Sequence, residues 1–169
     1  MVAGRRNNAP KRPKAESPPT GPKGDRSQVG KVPGLPKAQR RHASALRVLL
    51  VDDDPDAREL TALFLEQNGI EVQTAGSVAD ALALLKVQSP QVILSDIGMP
   101  IEDGYSLIRR VRALPAPEKK NIPAIAITAF ARIEDKTRAF AEGFDMHVAK
   151  PVDLAQLLRM VTKLAQKKD

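Results

Sequence analysis

Residues 92–100 read Val-Ile-Leu-Ser-Asp-Ile-Gly-Met-Pro, and this stretch does more than any other to decide the fold of the chain. The mostly apolar run over 92–95 predicts a short buried strand, and the turn at Gly98, Met99 and Pro100 ends it. Asp96 therefore lies at the mouth of a buried strand. A lone aspartate at a strand end is more often a turn residue, so its meaning depends on how the other strands end.

Three other strand-like runs also end in polar residues. Asp52 and Asp53 follow the run over 46–51, Thr128 follows 124–127, and Lys150 follows 146–149. If the strands are parallel, their carboxyl ends meet at one edge of a sheet, where ligands bind in such folds. The pattern predicts a single site with three carboxylates, a hydroxyl and an ammonium group.

Strand-like and helix-like runs alternate along the chain, and this alternation predicts the fold class. The strand-like runs lie over about 46–51, 70–75, 92–95, 122–127 and 146–149, and a helix-like run follows each of them. Such alternation is typical of an α/β fold with helices on both faces of a parallel sheet. We predict a flavodoxin-like, doubly wound (βα)5 sheet of order 2-1-3-4-5, in which strands 1 and 3 are neighbours.

The first helix shows its start and its apolar spacing in the sequence. Asp54 is a predicted N-cap, and Pro55 suits the first helical position. Leu60, Leu63, Phe64 and Leu65 give helical spacing, and we expect Asn68-Gly69 to end the helix. Further along, the Pro-Ala-Pro sequence at 115–117 is interpreted as an interruption before the fourth strand.

The net charge of +7 belongs to the first part of the chain. Residues 1–45 carry eleven Lys or Arg and two acidic residues, whereas the remainder carries sixteen and eighteen. Residues 1–44 also hold seven of the fourteen prolines and no aromatic residue. Because such a segment buries too little apolar surface to offset its ordering entropy, we expect a disordered basic tail over 1–44 and a folded domain over 45–169.

Two interpretations of this tail remain open. It is either a solvated linker or an electrostatic arm that contacts nucleic acid, acidic lipid or an acidic protein surface. The sequence contains no helix-turn-helix pattern and no aromatic stacking platform, so sequence-specific DNA reading is not expected.

Composition excludes several other classes of site. The chain has no cysteine, which excludes disulfides, thiolate metal sites and cysteine nucleophiles. Its two histidines are too few for a histidine-rich metal site. No apolar run approaches the ~18 residues of a membrane helix, and the N-terminus lacks a secretory signal, so we expect a cytoplasmic protein.

The predicted site suits one kind of chemistry. Three crowded carboxylates repel one another unless a cation neutralises them, and Mg²⁺ prefers oxygen ligands. A carboxylate beside such an ion can attack a phosphoryl group and become an aspartyl phosphate. Lys150 and Thr128 could then stabilise the oxygens of the transferred group.

These motifs resemble the receiver domain of two-component response regulators. The resemblance covers residues of about 45–168 and is CheY-like. The segments 95–105 and 144–152 also resemble the receivers of hybrid histidine kinases. It is carried by Val51-Asp52-Asp53, Asp96-Ile97-Gly98-Met99-Pro100, Thr128-Ala129 and Lys150-Pro151. It implies phosphorelay signal transduction, in which a histidine kinase or histidine phosphotransfer protein donates a phosphoryl group. The surface around the helix over 133–142 and the fifth strand would then change partners, and we expect no output domain in this chain.

The resemblance also implies roles for the acidic residues. Asp96 is implied as the phosphoacceptor. Asp52, Asp53, Asp96 and the main-chain carbonyl of Gly98 are implied as ligands of Mg²⁺ or Mn²⁺. The chemistry of the chain itself is then limited to self-phosphorylation and slow hydrolysis, so we do not expect an enzyme in the usual sense.

Further roles come from the last two strands. The resemblance implies Thr128 as the switch hydroxyl and Lys150 as the phosphoryl-binding cation, with a cis bond between Lys150 and Pro151 as a candidate feature. The family usually has Tyr or Phe at the position of His147. His147 is either an ordinary, partly exposed histidine or a pH-dependent replacement for that switch ring. Phe130 is a candidate shield that would lengthen the life of the phosphoaspartate.

Two functions of other classes are weighed against the receiver. Asp52 followed two residues later by Asp54 also resembles the start of a phosphatase with an aspartate nucleophile, although that assignment leaves Asp96 without a role. The other alternative is a phosphate-independent docking module that the basic tail tethers to nucleic acid or membrane.

Overall fold

The computed structural model describes residues 45–129 and 132–166. The tail predicted over 1–44 and the shield predicted at Phe130 lie outside the described residues, so both stay predictions. The described chain alternates strands and helices in the order β1, α1, β2, α2, β3, α3, α4, β4, α5, β5, α6.

Within residues 45–129 and 132–166, five strands form the sheet and six helices connect or follow them. The strands are β1 (Arg47–Val51), β2 (Glu71–Ala75), β3 (Val92–Asp96), β4 (Ala124–Thr128) and β5 (Met146–Ala149). The helices are α1 (Pro55–Gln67), α2 (Val78–Val87), α3 (Gly104–Arg112), α4 (Pro117–Lys120), α5 (Ile133–Glu142) and α6 (Leu154–Gln166).

All strand pairs are parallel, and the sheet order is β2-β1-β3-β4-β5, which confirms the predicted order. β1 and β3 are neighbours, with Val51 in register with Ser95. The next residues along these two strands are Asp52 and Asp96, so both acids leave the sheet at the same level. The topology thus places the strand ends as the sequence predicted.

Apolar side chains fill a core on each face of the sheet. We name the layer under α2, α3 and α5 the α3 layer; it includes Leu49, Ile93, Ala126, Leu107 and Phe144. The layer under α1 and α6, the α1 layer, includes Leu50, Leu94, Ile127, Leu65 and Leu157. Successive strand residues alternate between the layers, as they must when both faces are covered.

Only part of the apolar set predicted for α1 is packed. Leu65 is buried and Phe64 packs against the α1 layer, whereas Leu60 and Leu63 are 61% and 50% exposed. Thr61 and Ala62 are buried beside Leu65. α1 carries apolar residues on more than one side, and the fit against the sheet decides which side is buried.

Two boundaries between α3 and β4 also differ from the prediction. The expected interruption at 115–117 leads directly into the short helix α4, whose first residue is Pro117, a position where proline needs no amide hydrogen. β4 spans Ala124–Thr128 rather than 122–127, so Thr128 is the last residue of the strand. Pro123 just before β4 accepts a hydrogen bond from Ile93 with its carbonyl oxygen at 2.9 Å.

A close backbone approach fixes the loop between β3 and α3. A Cβ atom at Gly104 would lie 2.9 Å from the Cα of Ile97 and would also collide with the carbonyl of Asp96. The amide of Gly104 donates to the carbonyl of Ile97 at 3.1 Å. Only glycine fits here, and the loop after Asp96 is held tightly against the start of α3.

Arg112 ties together the opposite, amino-terminal edge of the sheet. Its guanidinium donates to the carbonyls of Lys120, Ile122 and Gly143 at 2.6–3.0 Å, and to the carboxylate of Asp145 at 3.2 Å. These acceptors precede β4 and β5. Arg112 therefore stabilises the edge of the sheet that is opposite the polar strand ends.

Candidate functional site

Each predicted site residue reaches the carboxyl edge at the end of its own strand. Asp52 follows β1, Asp96 ends β3, Thr128 ends β4 and Lys150 follows β5. The ammonium of Lys150 lies 3.1 Å from Oδ2 of Asp96 and 3.4 Å from Oδ2 of Asp52. The sheet therefore brings together groups that are up to 98 residues apart in sequence.

The three carboxylates predicted as metal ligands are clustered. Asp52, Asp53 and Asp96 each offer a carboxylate oxygen, and these oxygens all lie within 4.8 Å of one another. Asp52 and Asp96 are 4% and 5% exposed, whereas Asp53 lies at the surface. One face of the cluster is thus enclosed by protein, and the other opens to solvent.

Hydrogen bonds orient two of the three acids. Oδ1 of Asp52 accepts from the amide of Asp54 at 3.0 Å, and Oδ1 of Asp96 accepts from the amide of Gly98 at 3.3 Å. The carboxylate of Asp53 has no hydrogen bond or ion pair among the described residues. The position of Asp53 therefore depends on its backbone.

Burial shapes the acid–base behaviour of the site. It raises the pKa of Asp52, and the nearby charge of Asp96 adds to this, although the amide of Asp54 and the ammonium of Lys150 oppose it. Burial alone would lower the pKa of Lys150, but its hydrogen bond to Asp96 and the charges of Asp96 and Asp52 outweigh burial and raise it. Lys150 is thus held as a cation at neutral pH.

The charges in the site are unbalanced in a way that fits a divalent cation. One ammonium group contacts two of the three clustered carboxylates, so the cluster holds more acidic groups than basic ones. All the clustered ligand atoms are carboxylate oxygens, the ligand type that hard divalent ions prefer. Burial raises the pKa of Asp52, which means that it disfavours the charged form of this carboxylate, a cost that a bound cation would offset.

Thr128 and Lys150 are linked through the backbone. Thr128 is buried, and its carbonyl accepts from the amide of Lys150 at 2.8 Å. The peptide bond between Lys150 and Pro151 is cis, which confirms the prediction. The cis bond turns the chain at the residue whose ammonium group reaches Asp96.

His147 lies on β5, three residues before Lys150, and its side chain is on the α3-layer side of the sheet. It is in register with Ala126 of the α3 layer, whereas its neighbour Val148 belongs to the α1 layer. The imidazole is half-buried, and its Nε2 atom is enclosed without a hydrogen-bond partner among the described residues. Its suggested role as a switch ring stays a prediction.

Sequence reasoning missed one residue at this edge. Arg58 in the first turns of α1 donates from Nη1 to the main-chain carbonyl of Asp52 at 2.5 Å. In the sequence it is one charge on the polar side of a helix. Arg58 follows the predicted N-cap Asp54 by four residues, about one helical turn, and this spacing alone indicated that its side chain lies near the start of the helix.

A family comparison identifies the domain. The family model for the response regulator receiver domain matches residues 48–162. This span includes the carboxyl ends of all five strands and every site residue described above. The chain belongs to the response regulator receiver family, whose members act in two-component phosphorelay signalling.

Individual relatives agree with this assignment. The chain is 46% identical over 114 residues to an uncharacterised 14.6 kDa protein of Leptolyngbya boryana, covering 68% of this chain and 86% of that protein. It is 36% identical over 128 residues to hybrid signal transduction histidine kinase D of Dictyostelium discoideum, covering 72% of this chain and 8% of the kinase. The structure of chemotaxis response regulator CheY4 of Vibrio cholerae aligns with a TM-score of 0.66 at 29% identity, covering 72% of this chain and 99% of that one. The chain thus spans only a small part of the kinase.

Within residues 45–129 and 132–166, no helix is both long enough and apolar enough to cross a membrane.

We expect Asp52→Asn to raise the free energy of unfolding at neutral pH without metal. Because the pKa of Asp52 is raised in the folded state, this residue favours folding only at low pH, and that contribution is lost as the pH rises through its folded-state pKa. With Mg²⁺ the order reverses, since an ion at 100 times its Kd adds about 2.7 kcal/mol to the wild type. Urea unfolding followed by circular dichroism measures both effects.

The matched control is Glu66→Gln, which neutralises an exposed carboxylate of α1. It should leave the stability nearly unchanged and keep the gain from Mg²⁺. An Asp52→Asn protein that is less stable than the wild type without metal, or that gains as much from Mg²⁺, would contradict the account of this cluster.

Proposed function

We propose that Asp96 accepts a phosphoryl group from a histidine kinase or a histidine phosphotransfer protein. The observation that carries this proposal is the ammonium of Lys150, which lies 3.1 Å from Asp96 and 3.4 Å from Asp52 at the mouth of the sheet. The carboxylate of Asp96 is buried and lies next to a cation that can receive phosphoryl oxygens, and the cluster opens to solvent on the Asp53 side.

In the proposed step, a carboxylate oxygen of Asp96 attacks the phosphorus of the donor. A bond forms between that oxygen and phosphorus, and the bond from phosphorus to the imidazole nitrogen of the donor breaks with its electron pair. The product is an acyl phosphate on Asp96 and a donor histidine that has lost its phosphoryl group. The amide of Gly98, 3.3 Å from Oδ1, restricts the rotation of the attacking carboxylate.

Two side chains are placed to stabilise the product. Lys150 already contacts Oδ2 of Asp96, so a phosphoryl group on Asp96 brings its oxygens within reach of the same ammonium. Thr128 ends the neighbouring strand β4, and its hydroxyl is proposed to donate to another phosphoryl oxygen. Thr128 is the last residue of β4 and Lys150 directly follows β5, so the sheet holds both groups beside Asp96.

The proposed metal site consists of the carboxylates of Asp52, Asp53 and Asp96 with the main-chain carbonyl of Gly98. When bound, Mg²⁺ or Mn²⁺ supplies positive charge that neutralises the acids and the transferred oxygens. The clustering of the carboxylate oxygens within 4.8 Å supports this ligand set.

The proposed output of phosphorylation is a change of protein partners at α5 and β5, in the cytoplasm. The chemistry of the chain itself is limited to accepting the phosphoryl group and losing it slowly to water.

The family assignment favours this function over a phosphatase that uses Asp52 as its nucleophile. Docking through the basic tail stays an open alternative.

We expect one phosphoryl adduct, about 80 Da, on the wild-type chain after incubation with acetyl phosphate and Mg²⁺, because Asp96 is the nucleophile. Intact-mass spectrometry measures it. Asp96→Asn and the wild type with a chelator should show no adduct. Asp103→Asn is a matched control, since Asp103 caps α3 in the same loop and should leave the adduct in place.

An adduct that persists in Asp96→Asn but disappears in Asp52→Asn would replace this function with the phosphatase-type nucleophile. An absence of any adduct, with acetyl phosphate and with a phosphorylated histidine protein as donors, would leave the docking module as the function.

We also propose that His147 takes the place of the ring that moves on activation. Its enclosed, unpartnered Nε2 supports this, because turning outward would let it hydrogen-bond with water. Imidazole signals in ¹⁵N-resolved nuclear magnetic resonance should shift when acetyl phosphate and Mg²⁺ are added to the wild type, but not to Asp96→Asn. His42→Gln assigns the signals, because the chain has only two histidines. Unchanged His147 signals in a chain shown by mass to be phosphorylated would refute the role.

A further inference from the structure

Arg58 of α1 reaches back to the strand-end loop before the helix. Its Nη1 donates to the main-chain carbonyl of Asp52 at 2.5 Å, in a partly buried position. That carbonyl belongs to the peptide group that joins Asp52 to Asp53. Arg58 therefore holds the peptide between two of the clustered carboxylates.

The guanidinium of Arg58 also lies against the loop that follows β2. A Cβ atom added to Gly76 would lie 3.4 Å from Nη1 and 3.7 Å from Cζ, so the guanidinium occupies the space beside this glycine. The amide of Asp52 donates to the carbonyl of Ala75 at 3.2 Å. The loop of Asp52 is thus fixed to the β2 end through its amide and to Arg58 through its carbonyl.

Asp53 depends on this arrangement more than the other two acids do. Asp52 and Asp96 each accept a hydrogen bond from a backbone amide, at 3.0 Å and 3.3 Å, and both contact Lys150. Asp53 has neither kind of contact among the described residues. Because no side-chain contact orients it, the tilt of the preceding peptide group sets where its carboxylate points.

We propose that Arg58 is a positioning residue for the divalent-metal site and acts on Asp53 through the Asp52–Asp53 peptide group. This inference rests on the proposed function of the acidic cluster as a metal site. Among the described residues, Arg58 has no hydrogen bond to the carboxylate of a metal ligand. It donates instead to the main-chain oxygen of Asp52. Loss of its donor frees that peptide to rotate and moves the Asp53 carboxylate away from Asp52 and Asp96.

Isothermal titration of Mg²⁺ into the full 169-residue chain tests this directly, without a phosphodonor. Arg58→Ala and Arg58→Met should each weaken Mg²⁺ binding by about tenfold, in the range found when outer-shell partners of metal ligands are removed. Arg58→Met keeps most of the packing against Gly76 but has no donor, so it separates positioning from packing if Arg58→Ala fails to fold. Arg58→Lys, which can still donate to the carbonyl, should recover most of the affinity.

The matched control is Arg159→Ala, which removes an exposed arginine of α6 without a hydrogen bond or ion pair among the described residues. It should bind Mg²⁺ as the wild type does. Arg58→Met with wild-type affinity would overturn the inference, as would an Arg58→Lys protein no better than Arg58→Met. A wild-type chain that binds no Mg²⁺ would overturn the proposed metal site itself, and the two failures are thereby distinguished.

Discussion

A cluster of three carboxylates, two of them in contact with one ammonium group, is the constraint on which the rest of this site depends. Asp52 and Asp96 are nearly inaccessible to water, so their mutual repulsion is poorly screened. Lys150 and the backbone amides of Asp54 and Gly98 offset it. The cluster therefore has more negative groups than positive ones, and a divalent cation can balance them. The cation and Lys150 can then hold a phosphoryl group together. The same imbalance that costs stability provides the driving force for binding.

The sheet makes this crowding possible and limits its cost. Because β1 and β3 are neighbours, Asp52 and Asp96 emerge side by side, and β4 and β5 deliver Thr128 and Lys150 next to them. Apolar layers on both faces of the sheet stabilise the strands that carry these groups. Gly104 lets the loop after Asp96 pack against α3 without displacing it.

The strands and the polar residues that end them were predictable from the sequence because both are local patterns. The alternation of strands and helices indicated a parallel sheet, and the doubly wound order 2-1-3-4-5 is the arrangement in which the acids cluster. The buried face of α1 was predicted only in part, since Leu65 and Phe64 pack on the sheet but Leu60 and Leu63, which share the helical spacing, are exposed. Sequence reasoning also missed Arg58 and Arg112. Both donate to main-chain carbonyls, which every residue has, so no pattern of side chains marks their acceptors.

A crystal structure of the chain with Mg²⁺ and beryllium fluoride, which mimics a phosphoryl group on a carboxylate, tests the central claim most directly. We predict the fluoride group on Asp96, one Mg²⁺ among Asp52, Asp53, Asp96 and the carbonyl of Gly98, and Lys150 and Thr128 on the fluorine atoms. Beryllium fluoride bound to Asp52 or Asp53 instead, or Mg²⁺ bound away from the three acids, would contradict the account.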